Sequence, residues 1–206
     1  MAESGEQVEV GQQELEEDED DEVNPNYKAP EQKSMKEILE ADKDDESLVN
    51  YKKQLMGENT QDLVIDPSIE AKVILKTLEL RFEDAPDDKQ SMDLTGDLST
   101  LKEKKFEIVE GRPYRIAILF NVQRDIVTGL KYSHICKRKG VKVDKKLLMM
   151  GSYGPKHEPH CFQSAVEDTP SGLLARGTYN VKSTFFDDDK HKYTEFDWKF
   201  EIVKKK

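Results

Sequence analysis

The chain has 206 residues, with 43 acidic and 32 basic side chains and a net charge of −11. That length predicts one or two domains. No stretch of about 18 apolar residues occurs, so no helical membrane span is expected, and no basic–apolar leader opens the chain. The two cysteines, Cys136 and Cys161, form no CxxC pair and read as buried, reduced thiols.

The charge excess has one source. Residues 1–22 hold eleven acidic side chains and no Lys or Arg, which leaves 32 acids against 32 bases in the rest. A segment with so little apolar surface is expected to be disordered. Its alternatives are a solubilising tail and an arm that meets a basic partner.

"VNPNYKAPEQ" follows, with prolines and asparagines that favour extended and turn conformations. Ser34 and Glu37 then form a capping box. Met35, Ile38 and Leu39 make one apolar face. The acidic turn "DKDDE" ends this helix and starts another, with Asp44 or Asp45 as N-cap. Leu48, Tyr51, Leu55 and Met56 share the second helix's apolar stripe, and Gly57 is a natural terminator. Both helices are shorter than the ~12–15 residues an isolated helix needs. Their stripes must meet either the rest of the chain or a partner.

From about residue 70 the apolar period falls to two. Leu78, Leu80 and Phe82 share a face. So do Tyr114, Ile116, Ile118, Phe120 and Val122. Leu130, Tyr132, His134 and Cys136 form a third set; Tyr179, Val181, Ser183 and Phe185 a fourth; Phe196, Trp198, Phe200 and Ile202 a fifth. Turn signals stand at "EGRP" (110–113), "VTG" (127–129), "RKG" (138–140), "PSG" (170–172) and "DDDK" (187–190). Alternating runs with regular turns predict an all-β, antiparallel sandwich. The division is residues 1–65 as tail and arm, and 66–206 as sandwich.

Signals for chemistry are few. His134 lies in an apolar phase and reads as core. "KHEPHC" offers His157, His160 and Cys161, but Pro159 forbids a helix there and a fourth metal ligand is not near. "FFDDDKHK" lacks the spacing of a calcium loop, although a sandwich with acidic loops can bind calcium and lipid headgroups. Nucleophile elbows, P-loops and dinucleotide fingerprints are absent from the sequence. "KRKGVKVDKK" is basic with little aromatic interleaving, a weak nucleic-acid signal. A binding module is expected rather than an enzyme, with no cofactor and no metal.

"VNYKKQLMG", "DLTGDL", "YRIAILFNVQRDIVTGLKY", "RKGVKVDK", "MMGSYGP", "LLARGTYNVKSTFFDDDK" and "DWKFEI" occur in order between Val49 and Ile202, within a match that runs from about Tyr27 to Ile202. Together they resemble the Rho guanine-nucleotide dissociation inhibitors. The resemblance implies an immunoglobulin-like sandwich behind a flexible, partly helical regulatory arm. It implies a cytoplasmic monomer that forms a heterodimer with prenylated Rho-family GTPases, preferably GDP-bound. The sandwich would shield the geranylgeranyl tail between its sheets, extract the GTPase from membranes and slow nucleotide release, without stable membrane insertion and without nucleic acid. By matched position, Leu80, Phe106, Tyr114, Ile126 and Trp198 are implied to line the prenyl cavity. Asp45, Ser47, Tyr51, Asp188 and Asp189 are implied to contact the GTPase. Ser34 and Thr178 are implied phosphorylation sites. Two departures stand out: Leu148 replaces a tyrosine near the pocket edge, and Lys105 replaces a phosphorylatable serine. The alternative is a general prenyl- or lipid-binding sandwich, or a calcium-dependent membrane-binding one.

Overall fold

A computed structural model describes residues 45–50 and 63–205. Ser34 and Tyr51 therefore lie outside the described residues. Residues 46–50 are helical. Asp45 caps them, its Oδ1 accepting from the backbone N–H of Ser47 at 2.9 Å and of Leu48 at 3.1 Å. That satisfies two of the donors that a helix start leaves without partners.

Residues 63–205 build two five-stranded sheets. One has the order β2 (Ala85–Asp93), β1 (Val73–Phe82), β4 (Pro113–Val122), β7 (His160–Gln163), with the short β8 (Glu167–Asp168) also on β4. The other runs β3 (Lys105–Val109), β10 (Lys192–Val203), β9 (Gly177–Phe186), β5 (Val127–Arg138), β6 (Val141–Tyr153). The five alternating runs of the sequence are β1, β4, β5, β9 and β10. Their in-phase residues form one core drawn from both sheets, including Leu78, Phe82, Ile118, Phe120, Tyr132 and Phe185. Residues two apart on a strand share a face, and here that face is the inner one.

Three expectations need correction. The sandwich is not wholly antiparallel, because β3 runs parallel to β10, with Phe106 opposite Phe200. "VTG" at 127–129 is not a turn but the start of β5, which reverses at residues 123–126 instead. Gly129 makes a bulge there, with φ +60°, and a Cβ on it would fall 1.8 Å from Asp188 Oδ2. Its turn-like signal was the demand for positive φ inside a strand. Cys161 is exposed, while Cys136 is buried.

The chain enters the sandwich through one side chain. Gln123 is fully buried. Its Oε1 accepts from the N–H groups of Ile65 and Asp66, both at 3.0 Å. Its Nε2 donates to Ile69 O at 2.6 Å and Ala71 O at 3.0 Å. The N–H of Arg124 reaches Leu63 O at 2.7 Å. The carboxamide is thus fully satisfied, as a buried amide must be.

A second polar contact sits deeper. Ser183 Oγ, wholly buried on β9, accepts from Trp198 Nε1–H at 2.9 Å and bonds Tyr132 Oη at 2.9 Å. Replacing Ser183 by Ala orphans an indole N–H and a phenol together, at a cost of about 1–3 kcal/mol for each unsatisfied group. Urea unfolding is expected to show Ser183→Ala destabilised by at least the cost of one such group; a wild-type midpoint would contradict the assignment.

Candidate functional site

At one end of the sandwich the two sheets part around a cleft of about 330 Å³. That lies at the lower end of the ~300–1,000 Å³ typical of ligand pockets. From the first sheet come Leu80, Tyr114 and Ile116. From the second come His134, Cys136, Tyr179 and Val181, with Ile108, Trp198, Phe200 and Ile202 from β3 and β10. The walls are apolar because these positions continue the inward phases of their strands. Stacked rings stiffen one wall: Tyr179 lies on Phe200 at 4.8 Å, and Phe200 is 6.0 Å from Trp198.

The mouth is polar. Tyr114 donates to Glu167 Oε2 at 3.4 Å, and Lys146 forms an ion pair with the same carboxylate. Asp144 lies 3.6 Å from both His134 Nε2 and Lys146 Nζ. His134 Nδ1 is buried without a hydrogen-bond partner. Burial pushes the Tyr114 phenol up from its ordinary value and the Cys136 thiol up to about 11. Neither ionises near neutral pH, so charge in the lining is confined to a rim of Asp144, Lys146, Glu167 and Asp168.

Sequence-named residues divide between the two ends of the sandwich. Leu80, Tyr114 and Trp198 come together in the lining. Phe106 stands behind it, edge-on to Trp198 at 5.3 Å. Ile126 is not in the lining; it sits half-buried in the β4–β5 turn. By strand register that turn belongs to the other end, with the β9–β10 turn of Asp188 and Asp189. Asp188 pairs with Lys131 at 2.9 Å and stays about half exposed. Thr178 is exposed on β9, Leu148 packs on the core, and Lys105 pairs with Glu201. Asp45 and Ser47 are both exposed.

Asp187, Asp189 and His191 approach within 4.8 Å of one another. Asp187 nevertheless spends both oxygens inside its own turn. It accepts from His191 N–H at 2.9 Å and Tyr193 Oη–H at 2.6 Å, with His191 Nδ1 3.3 Å away. This geometry shapes the turn and does not favour calcium binding. Among the described residues, no helix is long and apolar enough to cross a membrane.

Sequence reasoning missed the cleft role of His134 and Cys136, which it took for plain core, and the mouth formed by Asp144, Lys146 and Glu167. Only the strands' apolar phase hinted at the former. Desolvation, helped by the nearby Lys146 charge, lowers the His134 pKa from 6.5. The folded state therefore binds fewer protons than the unfolded state as pH drops through that value. The contribution is present above pH 6.5 and is lost as pH falls towards the folded pKa. Between pH 7 and 5, the stability of His134→Gln is expected to decline less steeply than that of the parent; parallel profiles from chemical denaturation would refute this.

The chain was compared with known proteins. A family model described as "RHO protein GDP dissociation inhibitor" matches residues 12–205. Rho GDP-dissociation inhibitor 1 of Rattus norvegicus and that of Homo sapiens are each 46% identical over 188 residues, covering 91% of this chain and 90% of theirs. Rho GDP-dissociation inhibitor 3 of Homo sapiens is 44% identical over 86% of this chain and 77% of its own. A solved Niemann-Pick type C2 protein from Japanese carpenter ant aligns with a TM-score of 0.39 and 12% identity, over 63% of this chain and 93% of that one, too distant to carry an argument. The family match runs from residue 12 to residue 205 and so includes every element of the cleft: this chain belongs to the RHO protein GDP dissociation inhibitor family.

Proposed function

We propose that the protein inhibits GDP dissociation from Rho-family small GTPases, takes their geranylgeranyl chain into the cleft between its sheets, and holds the complex in the cytoplasm. The observation that carries this reading is the cleft: apolar walls, an uncharged interior and a polar mouth, in a chain whose relatives are named for this inhibition. The reading assigns binding and no catalysis. Asp45, Ser47 and Tyr51 would meet the GTPase switch regions, and Asp188 and Asp189 its basic side chains.

Magnitudes assign the labour. Burying a 20-carbon chain at about 0.8 kcal/mol per CH₂ releases up to roughly 16 kcal/mol gross. A bilayer offers nearly the same, so moving the chain from bilayer to cleft is close to neutral. Protein contacts outside the cleft must then tip the exchange. The largely exposed helical residues 46–50 behind Asp45 suit that role, since the short helices expected from the sequence would gain their missing surface on a partner. The acidic residues 14–22 would draw in a basic GTPase tail and speed encounter in a salt-dependent way.

The experiment is release from vesicles that carry a geranylgeranylated Rho-family GTPase. The full chain is expected to bring the GTPase into the supernatant, and a chain lacking residues 1–60 is not. GTPase that stays in the pellet with the full chain would defeat the reading.

Occupancy of the cleft has two internal reporters. Trp198 is the single tryptophan, so titration with a geranylgeranylated peptide should shift its emission. The same peptide should slow alkylation of Cys136 while leaving the exposed Cys161 unaffected. An unmoved spectrum with unchanged Cys136 alkylation at saturation would exclude the cleft as the lipid site.

A further inference from the structure

Two loops border the mouth of the cleft, and both present bare apolar side chains. The β5–β6 hairpin turns through Lys139 and Gly140, with φ of +49° and +84°. This two-residue turn with both central φ positive is the tight type that suits a twisted hairpin. Just past it, Val141 is 67% exposed and Val143 52%. In the loop that leads into β9, Leu173 and Leu174 are 78% and 87% exposed.

These leucines are held in place from beneath. Arg138 donates through Nη1 to Leu174 O and through Nη2 to Arg176 O, so the hairpin grips the loop. Glu110 accepts from Gly172 N–H at 2.9 Å and pairs with Arg176 at 2.7 Å. The loop backbone is anchored at both ends while its two leucines point at solvent. Pro170 and Thr169 at its start, and Val143, Asp144 and Lys146 in the hairpin, line the cleft itself.

The surroundings are basic. Residues 137–146 hold six Lys or Arg and one acid. Lys137, Lys139, Lys142 and Lys145 are exposed. Bare aliphatic tips ringed by lysines suit the headgroup layer of an anionic bilayer, where apolar atoms leave water and ammonium groups meet phosphates. The chain's own acidic residues 14–22 match the charge but not the leucines, since Leu15 is their one apolar residue.

We propose that this rim docks reversibly on anionic membrane surfaces without calcium, setting the mouth of the cleft against the lipid. The function proposed above explains why a cleft should face a bilayer; the contact itself requires no GTPase.

The test uses the full chain alone, with chelator, floated with vesicles of phosphatidylcholine or of phosphatidylcholine and phosphatidylserine. Flotation is expected only with phosphatidylserine, and should fade as salt rises. Each lysine near such a surface contributes about fivefold in partition. Lys139→Glu/Lys142→Glu/Lys145→Glu should therefore bind at least roughly tenfold more weakly. Leu173→Ser/Leu174→Ser should also lose binding, and both variants should keep the parent's unfolding midpoint. A parent chain that does not float, or variants that float as well as the parent, would overturn the proposal. So would flotation that appears only when residues 14–22 are neutralised, because the rim would then be covered by the chain's own tail. Slowing of GDP release from a soluble Rho-family GTPase is scored in parallel. Loss of that slowing in the parent defeats the inhibitor reading, whereas loss of flotation alone defeats only the rim.

Discussion

Two sheets that pack at one end and part at the other need something to hold the boundary, and here it is a buried hydroxyl. Ser183 receives the Trp198 indole N–H and bonds the Tyr132 phenol, both at 2.9 Å. On one side of this contact Tyr132 stacks on Phe185 and the core is closed. On the other, Trp198 faces the cleft with Phe106 behind it. An indole without such a bond would carry an unpaired donor in the core, and its ring could relax into the empty space. The bond fixes the ring's orientation, and the ring fixes where packing ends. In a protein interior packed as densely as an organic crystal, an opening of this size persists only if its walls cannot collapse.

What the sequence revealed follows from which strands have a buried face. β1, β4, β5, β9 and β10 each pair on both sides, or nearly so, and their alternation is clean. β2 and β6 are edge strands. Four consecutive residues of β2, Pro86–Lys89, are exposed, and so are the first five of β6. An edge strand is free to vary its outward and rim-facing residues, so its period fades. The bulge at Gly129 failed for another reason: a glycine that needs positive φ looks the same in a turn and in a strand. β3 escaped because a parallel partner 94 residues further along the chain leaves no local hairpin signal.

The site was legible in the same uneven way. Leu80, Tyr114 and Trp198 were named through a family pattern, and they meet in one lining. The polar mouth was not named, because Asp144, Lys146 and Glu167 come from two sheets and no spacing links them. Ile126 lies at the far end, beside Asp188 and Asp189, so residues that one motif list groups together are separated by the length of a strand. Local sequence shows which way a side chain faces; only the register of β5 against β9 shows at which end it stands.

The four hydrogen bonds of Gln123 have a consequence for the arm. They clamp the chain from Ile65 to Ala71, so whatever precedes Leu63 joins the sandwich at a fixed point. Twelve residues, 51–62, lie between Asn50 and Leu63 in the sequence. At about 3.5 Å per residue, no span of that length can exceed about 45 Å. A partner held by the sandwich would find Asp45 and Ser47 within that reach, and would meet them inside one complex rather than from free solution. Weak arm contacts would then suffice, because the second attachment is intramolecular. Deleting residues from 51–62 until that reach falls below the distance between the two contact surfaces would abolish this gain without changing any contacting residue.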